Sequence, residues 1–136
     1  MEQKYIILHH SLTKDGKTVS WNAIRQYHLR KGWNDIGYHF GIELVGSRYE
    51  ILTGRLLNSP GAHCRLMNQI SIGICFVGNF DIEEPPPEQL VIGRGLIRSM
   101  MDIFSIENDH IKGHCAYSKK SCPGHLFPLG EFIRSL

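Results

Sequence analysis

The sequence predicts a single α/β domain, and three observations carry that reading. Two continuous apolar runs of β-favouring residues, Tyr5-Ile-Ile-Leu8 and Ser71-Ile-Gly-Ile-Cys-Phe-Val-Gly78, have the pattern of strands buried on both faces. Other segments place apolar residues at steps of three and four, as amphipathic helices do. A chain of 136 residues, 42% of them hydrophobic, suffices for one real core and is short for two.

The first run continues into His9, His10 and Ser11. A strand over Tyr5 to His10 therefore carries polar residues at its carboxyl end, where α/β folds place ligand sites. Ser11 to Lys17 is polar, and Asp15-Gly16 marks a turn. Ser20 can cap a helix that carries Trp21, Ile24, Tyr27 and His28 at helical spacing and that Gly32 ends. After Trp33-Asn-Asp35, alternation over Gly37 to Val45, a Gly46-Ser47 turn and the run Arg48 to Leu52 predict a β-hairpin. From Thr53 to Gln69 no period survives, and an irregular loop of that length in a small domain tends to carry function. The second apolar run predicts an interior strand over Ser71 to Gly78. Glu83-Glu-Pro-Pro-Pro-Glu88 combines prolines and acids suited to a helix start, and the apolar spacing makes Leu90 to Phe104 the longest helix. Ile111 opens a short strand leading into His114, and Leu126 to Leu136 forms a closing helix entered through Pro128. No repeat or linker interrupts this order, so residues 1–136 read as one domain.

Composition narrows the function classes. A net charge of +2 without a run of Lys or Arg gives no surface for nucleic acid. The apolar run near the start is far shorter than a signal-peptide core or the roughly 20 residues of a membrane span. The expectation is a product made in the cytoplasm without a signal peptide and without membrane insertion. Cys64, Cys75, Cys115 and Cys122 read as reduced thiols, because a chain with its own core needs no disulfide framework.

Chemistry concentrates in Lys112-Gly-His-Cys-Ala-Tyr-Ser-Lys-Lys-Ser-Cys-Pro-Gly124. His114 and Cys122, eight positions apart, are zinc-type ligands on a loop shaped by Gly113, Pro123 and Gly124. A catalytic zinc commonly takes three protein ligands and leaves a fourth position open, so a third must come from elsewhere. His9 is the best candidate. His10 competes with it, although neighbours on a strand face opposite sides and only one of the pair can easily point at a given site. A closed local site made from His114, Cys115, Cys122 and His125 is the structural alternative. His39 reads as a hydrogen-bonded core histidine, and His28 and His110 as structural.

Five segments in order now carry a resemblance: His9 after an apolar strand, Trp33-Asn-Asp-Ile-Gly-Tyr-His-Phe40, Gly61-Ala-His63, Asn68-Gln-Ile-Ser-Ile-Gly-Ile-Cys-Phe-Val-Gly-Asn79, and Gly113-His114 through Cys122-Pro-Gly124. Together they resemble the type 2 N-acetylmuramoyl-L-alanine amidases, a family that includes the peptidoglycan recognition proteins and the small phage lysozyme amidases. The resemblance implies a mixed central β-sheet flanked by helices and one zinc per chain. It implies hydrolysis of the amide between N-acetylmuramic acid and the first L-alanine of the stem peptide. The family's zinc ligands fall on His9, His114 and Cys122, its catalytic tyrosine on Tyr38, and the catalytic lysine of the phage branch on Lys120. Lys120 is a cation suited to a developing oxyanion, and Tyr38, with an ordinary pKa near 10, is an assisting group rather than a base.

Substrate contacts are expected from His63 and Asn68, with structural hydrogen bonding the alternative for His63. The chain departs from many members in carrying Cys64-Arg-Leu-Met67 where they have a Thr and then Gly-Tyr, which predicts a differently shaped groove wall. A compact catalytic domain of this kind is most like a phage or prophage lysin, acting on the cell wall after release or by an accessory route. The competing class is a peptidoglycan-binding module without catalysis, and a regulatory role through a protein partner stays open.

Overall fold

The computed structural model describes residues 2–13 and 21–136. Strand β1 (Tyr5–His10) lies inside a five-stranded sheet, parallel to β4 (Ser71–Phe76) on one side and to β5 (Ile111–Gly113) on the other. β4 also pairs in parallel with β2 (Phe40–Val45), which turns back antiparallel into β3 (Arg48–Thr53). The order β3-β2-β4-β1-β5 is thus a mixed sheet. β1 and β4 are buried over almost their whole length, as their continuous apolar runs require.

Helices cover both faces. α1 (Trp21–Arg30) brings Trp21 and Ile24 against Ile36, Cys75 and Val77. On the opposite face, α2 (Pro87–Phe104) and α3 (Leu129–Arg134) pack Leu96, Ile97, Met100 and Phe132 against Ile6, Leu8, Ile72, Ile74 and Phe76. Each large aliphatic side chain buried there contributes about 1.5–3 kcal/mol relative to exposure. Period-two alternation along β1 decides the rest: Ile6 and Leu8 face α2 and α3, whereas Ile7 faces Cys64 and Met67 on the other side. His9 therefore emerges on the α1 face. His10 turns the other way and stacks on Phe80.

Element boundaries follow from local chemistry. Pro86 and Pro87 open α2, which lacks a side-chain cap, and Ser105 closes it in the left-handed region with φ 54°. Gln89, wholly buried in the first turn of α2, donates through Nε2 to the carbonyls of Ile42 and Val77. The closing helix is shorter than the expected Leu126 to Leu136, because Pro128 forms its N-cap. The hairpin strand starts at Phe40 rather than Gly37. His39 N–H donates to the Gly73 carbonyl, Gly54 N–H to that of His39 and Ala62 N–H to that of Gly37, so Gly37 to His39 bond to three different segments instead of one partner strand.

The expected turn at Asp15-Gly16 and the Ser20 cap lie outside the described residues. The first N–H of α1, that of Trp21, donates to the buried Glu43 carboxylate of β2 at 2.8 Å. The loop over residues 54–70 is ordered by Arg55, whose guanidinium donates to the carbonyls of Ile36 at 2.8 Å and Pro60 at 2.9 Å.

His28 ties this architecture to pH. Its buried ring accepts the Gly37 N–H at Nδ1, 2.9 Å away. Burial first, then the charges of Lys31 and Arg55, lowers its pKa from 6.5 to about 4. With the folded value below the unfolded one, its contribution to stability is complete above the unfolded pKa and is lost as pH falls from 6.5 towards 4. Denaturant midpoints of the metal-free protein should therefore drop between about pH 7 and pH 5, with His28 supplying about 1–2 kcal/mol of the loss. His28→Asn should flatten that dependence in the same titration.

Candidate metal centre

The register of β1 with β5 assembles the site. Leu8 pairs with Gly113, so His9 and His114, one step beyond each, lie side by side with ring centroids 4.7 Å apart. The chain then makes a short turn over His114–Ala116 and returns, where Cys115 N–H donates to the Cys122 carbonyl at 2.8 Å. Cys122 Sγ accepts the His10 backbone N–H at 3.4 Å and lies 3.6 Å from His9 Nδ1. Asp81 clamps the returning segment: its carboxylate accepts the Ser121 hydroxyl and the His125 N–H, both at 2.9 Å. These bonds hold the Asp81 carboxyl below the usual carboxylate range. Nothing in the local sequence marks Asp81 for this task, since its partners are about 40 residues away.

The ligand atoms of His9, His114 and Cys122 lie within 4.8 Å of one another. Zinc bonds of about 2.0–2.1 Å to nitrogen and 2.3 Å to sulfur at a tetrahedral angle put an N–S pair about 3.6 Å apart. The observed His9 Nδ1 to Cys122 Sγ distance of 3.6 Å matches, so the donor set fits a shared zinc. Among the described residues this is the one such group. Cys115 and His125, which the closed local alternative requires, are exposed and do not join it. His10 does not compete either: its Nδ1 accepts the Phe80 N–H at 3.1 Å on the other face of the sheet.

Electrostatics prepares the imidazoles more than the thiol. Burial, then the proximity of His63, His114, His10 and Lys120, holds His9 well below 6.5, and burial followed by Lys120 lowers His114. Both rings are therefore neutral, as ligands must be. Burial pushes the Cys122 thiol up to about 12, opposed by the His10 N–H aimed at its sulfur. A bound cation would displace that proton.

The centre opens into a groove of about 820 Å³ whose walls include Trp33, Tyr38, His63 and Lys120. The Tyr38 ring stands 5.1 Å from that of His9 and stacks on Trp21. Burial, followed by the neighbouring Cys75 and Cys122 and a hydrogen bond to the Cys75 side chain, holds its hydroxyl well above 10, so it is a neutral group. Asn68 directs its side-chain oxygen to the N–H groups of His63 and Cys64, at 2.8 and 2.9 Å, and so braces the loop. His63 is 8% exposed, with Nδ1 2.9 Å from His9 Nε2. His39 is a core histidine, bonded through Nε2 to the Ser59 carbonyl and through Nδ1 to the Gly73 N–H. Within the unusual Cys64-Arg-Leu-Met67 segment, Cys64 and Met67 pack on Ile7 while Leu66 faces solvent.

A sequence profile described as N-acetylmuramoyl-L-alanine amidase matches residues 1–125. The chain is 32% identical over 127 residues to the endolysin of Klebsiella phage KP32, covering 90% of this chain and 81% of that one. The fold of N-acetylmuramoyl-L-alanine amidase LysC from Clostridium intestinale superposes with a TM-score of 0.88 at 30% identity, covering 98% of this chain and 85% of that one. A Drosophila PGRP-LB variant in complex with tracheal cytotoxin superposes with a TM-score of 0.80 at 31% identity, covering 95% of this chain and 79% of that one.

Metal analysis of variants separates the bridging site from a local one. His9→Ala should lose most of the one zinc per chain that the donor set can hold, whereas His10→Ala should keep it. Because the ion would join β1 to the returning loop, chelation should lower the melting temperature of the unmodified protein and leave that of His9→Ala almost unchanged.

Proposed function

The chain belongs to the N-acetylmuramoyl-L-alanine amidase family, and from that premise we propose that it is a zinc-dependent enzyme that cleaves the amide joining N-acetylmuramic acid to the first L-alanine of the stem peptide in peptidoglycan. The observation that carries the zinc reading is the group of two imidazoles and a thiol whose ligand atoms lie within 4.8 Å of one another, with the His9–Cys122 pair at 3.6 Å, along an open groove. A zinc ion held by His9, His114 and Cys122 would supply Lewis acidity to the scissile carbonyl and make a water molecule available as nucleophile near neutral pH.

The remaining work falls to the chain's own residues. Lys120, exposed at the groove, provides a fixed positive charge close enough to be felt at both imidazoles, and we assign it to the carbonyl oxygen as that oxygen becomes negative. Tyr38 keeps its proton and bonds Cys75, so we assign it an assisting role, orienting water or the carbonyl by giving up that bond, and not the role of a general base. Trp33, with the Lys31 ammonium 4.6 Å from its ring centre, gives the far wall an aromatic and cationic character suited to sugar rings and peptide carboxylates. A binding module on this fold would need the groove but not a buried thiol at ligand distance from His9, so Cys122 favours the enzyme.

No described helix is long and apolar enough to cross a membrane. We infer a lysin-type role in which the enzyme meets the wall after release from the cell or by an accessory route.

Purified murein treated with zinc-loaded protein should release peptides with new L-alanine amino termini and no new reducing sugar ends. Lys120→Ala should retain zinc and fold while kcat falls by about a hundredfold, the effect of removing one oxyanion donor, with KM little changed. Unchanged turnover would mean that the metal site alone stabilises the oxyanion. Tyr38→Phe should also lower kcat without releasing zinc.

A further inference from the structure

We propose that His63 is a positioning residue for the metal centre, fixing the ring of His9 and the nitrogen that carries its proton; this rests on the reading that His9, His114 and Cys122 share a zinc. The His63 ring meets His9 edge-on, with centroids 4.9 Å apart and planes at 90°, and its Nδ1 lies 2.9 Å from His9 Nε2. Its other nitrogen, Nε2, is 3.4 Å from the hydroxyl of the fully buried Ser71, which in turn donates to the Met67 carbonyl at 2.7 Å.

One proton arrangement satisfies the whole chain of bonds. The Met67 carbonyl can only accept, so the Ser71 hydroxyl gives its proton there and accepts from His63 Nε2–H. His63 Nδ1 is then a bare acceptor, and His9 must donate from Nε2. That leaves the lone pair of His9 on Nδ1, the nitrogen that faces Cys122. The reverse arrangement would put a proton on His9 Nδ1, remove it from the donor set and deprive the Met67 carbonyl of the Ser71 hydroxyl.

The space around His63 is shaped for this ring. A methyl group at Gly61 or at Gly73 would run into the imidazole, so two positions without side chains flank it. The loop that carries it is braced from within by Asn68, which accepts the His63 N–H. His63 thus comes from the irregular segment, while Ser71 opens β4, and the pair reaches β1 from outside. Partners of this kind orient a ligating histidine and fix its tautomer, and their loss typically weakens metal affinity by about 10–100-fold.

Competition titrations of the full chain against a chromophoric chelator, using zinc itself, test the assignment. His63→Leu should weaken zinc binding by about 10–100-fold, and His63→Asn, whose side-chain oxygen can stand where Nδ1 stands, should recover most of that loss. In the chelated, unmodified protein, nitrogen-15 spectra should show both His9 and His63 with the proton on Nε2, a readout that requires no variant to fold. Unchanged zinc affinity in His63→Leu together with a raised KM would assign the ring to substrate and overturn this proposal alone, as would a His9 proton found on Nδ1. An unmodified protein that takes up no zinc would overturn the reading on which it rests.

Discussion

The parallel pairing of β1 with both β4 and β5 is the constraint on which everything else depends. Side chains alternate along a strand, so the register that buries Ile6 and Leu8 under α2 and α3 also commits His9 to the opposite face. The pairing of Leu8 with Gly113 then brings His114 beside it from more than 100 residues away. A one-residue slip would expose the apolar set and exchange His9 for His10, whose ring belongs to the Phe80 side. The burial that fixes the fold and the geometry that offers a metal three donors are the same register.

Around that register, polar groups orient two of the three donors, His9 and Cys122. Asp81 holds the segment bearing Cys122, the His10 backbone N–H points at its sulfur, and the His63–Ser71 chain sets His9. Burial disfavours charge on both imidazoles and pushes the Cys122 thiol up, as it does for any ionisable group taken out of water. The same burial keeps the Tyr38 hydroxyl neutral. Lys120, in contrast, stands exposed at the groove, where its charge costs little and still reaches the centre.

What was legible in the sequence was what nearest neighbours decide. β1 and β4 announce themselves by continuous apolar runs, and the hairpin and α2 by period, because burial of one face or both acts within a few residues. Residue type and spacing singled out His114 and Cys122, with His9 as the leading third candidate, and the structure brings these three side chains together. The strand start at Phe40 was not legible, since the backbone bonds of Gly37 to His39 go to segments made elsewhere in the chain. Nor were the Glu43 carboxylate at the head of α1, the Asp81 clamp or the Arg55 hub, each a long-range contact without a local pattern. For His63, in the loop bordering the groove, both substrate contact and structural bonding were open; its bond to His9, and that of Asn68 to the loop backbone, are contacts that only the packed structure reveals.

The proposed zinc draws its protein ligands from both ends of the chain, two imidazole nitrogens and one thiolate. X-ray absorption at the zinc edge reads that shell directly. The spectrum should show one sulfur at about 2.3 Å and three nitrogen or oxygen neighbours at about 2.0–2.1 Å, one of them from solvent. A shell containing two sulfurs, or none, would contradict it.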